Sequence, residues 1–186
     1  MNGLRQDLIA LRNEADDEMR RKWGRSLPFA DSLFDRWERA TRLGFGEASS
    51  VYDSALVYGS VSVGTHTWVG PFVVLDGSGA HLTIGDFCDI SAGVQIWTHG
   101  TELRCVSLGS IPVNTAPVSV GDGTYVGSQS IILPGVKIGS RCVVGANSFV
   151  NTDIPDRSVM AGSPVRRIGE VVGEGSDTRI VPVSDS

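Results

Sequence analysis

From residue 51 onward the chain repeats a six-residue unit. An aliphatic side chain stands at Val51, Val57, Val63, Val69 and Leu75, and after the stretch GSGAHLT the count resumes at Ile84, Ile90 and Ile96. A longer gap follows, and the frame returns at Val120, Val126, Ile132, Ile138, Val144 and Val150. Glycine follows the aliphatic position at Gly64, Gly70, Gly85, Gly121, Gly127, Gly139 and Gly145, and four positions after it stands mostly a small or β-branched residue. A period of six is neither that of a helix nor that of a simple strand. It suits a parallel β-solenoid, in which each flat face contributes one large and one small inward side chain and tight corners join the faces. The glycines are expected to supply corner conformations that a side chain would penalise.

Upstream the pattern is helical. Leu4, Leu8 and Leu11 fall on one face of LRQDLIALRNEADDEMRRKW, and SLPF breaks that helix. Asp31 is placed to cap a second helix, DSLFDRWERATRL, which Gly44 and Gly46 end. The chain thus divides into a helical segment over 1–47, a β-domain over 48–168 and a tail over 169–186 that has no hexad. Within the β-domain, the segment 100–117 (GTELRCVSLGSIPVNTAP) interrupts the repeat immediately after IWTHG and leaves its phase intact beyond. A solenoid tolerates such an insertion at a corner, and an ordered loop of this length is usually functional.

Composition narrows the function classes. The 186 residues carry a net charge of −5, which argues against a general nucleic-acid binder. No apolar run approaches the length of a membrane span, and Met1 opens no signal-peptide pattern, so a cytoplasmic protein is expected. The three cysteines, Cys88, Cys105 and Cys142, have no metal-ligand spacing and fit reduced thiols.

The most specific stretches are IGDFCDISAGVQIWTHG from Ile84 and PVSVGDGTYVGSQSIILPGVKIGSRCVVGANSFVNTDIPDRSVMAGSPVRRIG from Pro117. They resemble the hexapeptide-repeat acyltransferases, and the closing DIPDRSVMAGSPVRRIG resembles the end of the sugar and polysaccharide O-acetyltransferases. The resemblance covers roughly residues 50 to 168. It implies a mainly β fold, a left-handed parallel β-helix with an N-terminal helical segment and a protruding loop, although ordinary crossover chirality favours the right-handed coil. It also implies a homotrimer, acetyl-CoA as donor, a sugar or saccharide acceptor, and no metal.

The same resemblance assigns candidate residues. The base of the family is a histidine at the lip of the long loop, and the matching residue is His99. For the acceptor the candidates are Asp76, Trp97 and Glu102, although Asp76 followed by Gly77 is also ordinary turn chemistry. For coenzyme A they are Gly127, Ser128, Gly145 and Ala146, where small residues allow close approach, and Ser163, Pro164, Arg166 and Arg167, whose arginines suit phosphate. Three other readings stay open: an N-acetyltransferase of an amino sugar or nucleotide-sugar, a non-catalytic β-helix scaffold, and a γ-class carbonic anhydrase. The last binds zinc through three histidines, and the spacing of His66, His81 and His99 lacks the close pair it needs.

Overall fold

The computed structural model describes residues 2–183. Its β-domain is a parallel β-solenoid of about six turns. The register shows how the hexads build it. Val51 pairs with Val69, Val69 with Ile90, Ile90 with Val126, Val126 with Val144, and Val144 with Met160, which makes one face. A second face stacks Val57, Leu75, Ile96, Ile132 and Val150. The third stacks Val63, Ile84, Val120, Ile138 and Ile154. Three hexads therefore close one turn, and the frame aliphatics point inward. All fourteen except Val57 are buried, and Val57 packs against the same core. Each such side chain contributes about 1.5–3 kcal/mol by leaving water.

The small inward positions do more than save space. Thr67 Oγ1 donates to Gly85 O at 2.8 Å and accepts from Cys88 N at 3.0 Å, so one hydroxyl links two turns. Thr124 and Ser130 repeat this link with Gly139 O and Gly145 O, and accept from Cys142 N and Ser148 N. Buried hydroxyls are thereby satisfied rather than stranded.

The glycines work differently from the expectation drawn from the repeat. The left-handed corner residue lies three positions after the aliphatic, where His66, Phe72, Phe87, Gln129, Arg141 and Asn147 all have φ between 53° and 63°. The glycines that directly follow the aliphatic have no positive φ. Their turn lies against the next one: a Cβ on Gly121 would come 2.6 Å from Ser140 N, and one on Gly127 would come 2.5 Å from Ala146 N. Coil-to-coil clearance, and not backbone conformation, requires them.

The helical segment also departs from the two helices expected. Helix α1 spans Asn2–Trp23, but the second helix is split into α2 (Phe29–Leu33) and α3 (Arg36–Arg42). Asp35 caps α3 by accepting from Trp37 N and Glu38 N, whereas Asp31 is buried and accepts from Ser54 N at 3.1 Å. The segment sits over the first turn, where the Arg39 guanidinium bonds the carbonyls of Tyr52 and Ala55. At the other end the tail is structured: Arg166–Val172 and Arg179–Pro182 extend the first face as antiparallel strands. Its last three residues lie outside the described ones.

Candidate active site

Two irregularities in the repeat meet at one corner, the one between the second and third faces. In the second turn, nine residues instead of six separate Leu75 from Ile84, and the chain runs as one strand, Val74–Ile84, through the corner. In the third turn the chain leaves the prism after Ile96. His99–Gly100 pairs antiparallel with Asn114–Thr115, and helix α4 (Glu102–Val106) lies in the loop between them. The interruption is an ordered hairpin with His99 at its base.

The register brings the first residue of one irregularity against the start of the other. His99 Nδ1 lies 2.7 Å from Asp76 Oδ2. The same oxygen accepts from Thr98 N at 3.2 Å and from Thr98 Oγ1 at 3.3 Å, while Asp76 Oδ1 accepts from Ser78 Oγ at 2.5 Å. Thr98 Oγ1 in turn accepts from Ala80 N at 3.1 Å. Burial pushes the Asp76 carboxyl up, but the bonds from Ser78, His99 and Thr98 outweigh it and hold the group below the usual carboxylate range. An ionised carboxylate only accepts, so His99 Nδ1 carries the proton and Nε2 is left with its lone pair. The Asp76 side chain is 2% exposed and that of His99 is 29% exposed. The acid is hidden and the imidazole is reachable.

Asp76, a candidate for the acceptor, lies beneath His99, with both carboxylate oxygens bonded within the chain. Sequence spacing alone hid this pairing, because the partners stand 23 positions apart, more than one turn of the coil. Trp97 stands edge-on to the His99 ring at 5.9 Å, its Nε1 donating to Gln95 Oε1 at 3.2 Å. Glu102 lies in the first turn of α4 with its carboxylate over Gly100, where a Cβ would come within 2.5 Å of Oε2.

The other histidines are elsewhere employed. His66 stacks on Phe87 at 4.6 Å, and His81 Nδ1 bonds Ser60 Oγ at 2.8 Å. Among the described residues no three His, Cys, Asp or Glu side chains gather as a metal cage. The three cysteines are free, with Cys88 and Cys142 buried and their thiols pushed up by that burial.

The donor candidates collect on a different corner. Gly127 and Ser128, Gly145 and Ala146, and the turn containing Ser163 and Pro164 follow the first face in three successive turns. Arg166 lies across from Ala161 at the end of that column, and both Arg166 and Arg167 are exposed. Arg167 bonds Glu170 at 3.2 Å. Arg141, on a neighbouring turn, is held by Glu174 together with Arg157. Small residues beside exposed guanidinium groups fit a long thiol cofactor ending in phosphates. The column and His99 do not share a corner within one chain.

Comparison with known proteins agrees with this architecture. The family model described as bacterial transferase hexapeptide (six repeats) matches residues 117–152. Galactoside O-acetyltransferase of Escherichia coli is 32% identical over 129 residues, covering 59% of this chain and 64% of that enzyme. A putative acetyltransferase of Saccharomyces cerevisiae is 36% identical over 110 residues, covering 57% and 53%. The chain thus spans between about half and two thirds of these relatives. Among solved structures, a hexapeptide-repeat acetyltransferase of Vibrio cholerae superposes with a TM-score of 0.64 at 28% identity, over 88% of this chain and 92% of that one. AntD, an N-acyltransferase of Bacillus cereus solved with dTDP and coenzyme A, shares the fold at a TM-score of 0.60 and 23% identity, over 72% and 88%.

The molecule is a parallel β-helix built from hexapeptide repeats. Residues 117–152 carry the hexapeptide repeat of bacterial transferases, and the chain is similar in sequence and fold to hexapeptide-repeat acetyltransferases.

Proposed function

We propose that this chain moves an acetyl group from acetyl-CoA to a hydroxyl of a sugar or saccharide, with His99 as general base. The observation that carries the reading is the 2.7 Å bond from His99 Nδ1 to a buried Asp76, which leaves Nε2 free at the base of the loop. His99 Nε2 takes the proton from the acceptor hydroxyl while the hydroxyl oxygen attacks the thioester carbonyl. The tetrahedral centre collapses, the carbon–sulfur bond breaks, and the proton passes to the departing thiolate. Asp76 fixes the tautomer and steadies the imidazolium that forms meanwhile. The name of the Escherichia coli relative supports a sugar hydroxyl as acceptor, and the contents of the AntD crystals support a coenzyme A donor.

The reading includes a homotrimer. Because the donor column and His99 lie on different corners, a neighbouring copy is needed to bring one to the other. The loop supports the same reading, since Leu103, Val106, Leu108, Ile111 and Val113 are exposed on it without cover from their own chain. Among the described residues, no helix is long and apolar enough to cross a membrane.

The test is product formation from acetyl-CoA over sugars, amino sugars and nucleotide-sugars. Turnover on a hydroxyl is expected, with a loss of about 10²–10⁴-fold in His99→Ala and retained coenzyme A binding. Undiminished turnover in that variant would remove His99 from the chemistry, and exclusive modification of amines would replace the hydroxyl reading.

A further inference from the structure

A cleft lies at the N-terminal end, where the helical segment meets the first turn, and none of the residues around His99 lines it. Its volume is about 240 Å³, below the roughly 300–1,000 Å³ of a drug-sized ligand's site. Aromatic side chains line it from four elements: Trp23 closing α1, Phe34 after α2, Trp37 in α3, and Tyr52 on the first turn. Trp23 and Phe34 are more than half exposed, which is unusual for residues of that size.

Asp31 also lines this cleft and is 8% exposed. Its Oδ1 accepts from Ser54 N, but Oδ2 has no partner among the described residues, and the adjacent Ser54 Oγ has none either. A buried carboxylate oxygen left open on a cleft-lining residue calls for a partner that donates a hydrogen bond. The charges of the cleft restrict what that party is. Lys22 and Arg25 line it, and the Arg36 guanidinium already lies 4.3 Å over the Trp37 ring and 5.2 Å from that of Tyr52. Glu18, Asp35 and Asp53 line it as well, and Asp53 is paired with Arg39 at 3.6 Å. With cations and carboxylates both resident, neither a free amine nor an anion meets a favourable net field. A neutral molecule does, if it offers hydroxyl donors to Asp31 and an apolar ring face to the tryptophans.

We infer that this cleft is a saccharide-binding site, sized for one sugar ring and separate from the acyl-transfer site. A ring lies against Trp23 or Phe34 through its C–H face and donates a hydroxyl to Asp31. Its effect on turnover rests on the acetyltransferase reading: a polymeric acceptor held here and at His99 gains avidity over a single sugar. The binding itself does not depend on that reading.

The test is isothermal titration calorimetry of the full chain with neutral tetrasaccharides of glucose, galactose, mannose and N-acetylglucosamine. At least one is expected to bind wild-type protein and His99→Ala alike. Asp31→Asn and, separately, Trp23→Ala are expected to weaken that binding at least tenfold, with Phe34→Ala as the alternative if either shifts the melting temperature. No heat with any tetrasaccharide, or binding that none of these substitutions changes, overturns the inference. Turnover, measured separately, reports on His99 and leaves the two outcomes distinguishable.

Discussion

At the scale of single residues the molecule turns on Asp76. A carboxylate is costly to bury alone, and this one is kept ionised by a hydroxyl, a backbone amide and an imidazole. Asp76→Asn keeps the shape but offers His99 a carboxamide that neither carries charge nor fixes which ring nitrogen holds the proton. Turnover is expected to fall by about 10²–10⁴-fold while the KM for acetyl-CoA holds, as steady-state kinetics would show. The same residue has a pH signature. Its carboxyl titrates in the fold below the ordinary 3.8, so its contribution to stability is complete above that value and is lost as the pH falls through the lowered one. Thermal melts from pH 5 to pH 2 are expected to show a steeper acid loss in wild-type protein than in Asp76→Asn. Equal slopes would mean the carboxylate is not held as described.

At the scale of the element, the six-residue unit separates two kinds of glycine. Gly121 lies where a Cβ would meet Ser140 N at 2.6 Å, whereas a Cβ on Gly123 would meet only Arg141 Cγ at 3.6 Å. Gly123 has φ of +64° instead. Gly121→Ala must therefore push two turns apart, at a cost of about 1–3 kcal/mol. Gly123→Ala carries only left-handed strain of about 1–2 kcal/mol, partly offset by a stiffer unfolded chain. Melting temperatures are expected to rank Gly121→Ala below Gly123→Ala, and the reverse order would restore corner conformation as the reason for the repeat's glycines. The aliphatic frame was readable because burial imposes it on every turn. The second helix was misread because Asp31 and Asp35 are both capping residues, and only the docking against Ser54 decides between them.

At the scale of the whole molecule, the proposed trimer would share its site between chains. His99 and Arg166 belong to different corners of one prism, so a mixture of chains offers a direct check. Co-expressed His99→Ala and Arg166→Glu chains are expected to recover a measurable part of the turnover that each lacks alone, and light scattering is expected to give three times the 19.8 kDa chain. A monomer with full turnover would put the whole site inside one prism.

The sequence by itself determined the coil: side-chain volume at every sixth position has one way to be buried, and that fixes turns, faces and core. It also marked His99, since a regular pattern that stops after a titratable residue singles that residue out. Only the tertiary structure decided what surrounds it. Asp76 became the partner of His99 because two irregular corners stack in adjacent turns. Three-dimensional stacking is also what gathered α1, α3 and Tyr52 around one cleft. Local periodicity reads how each residue faces the axis; which residue of one turn lies over which of the next depends on the lengths of the corners between them.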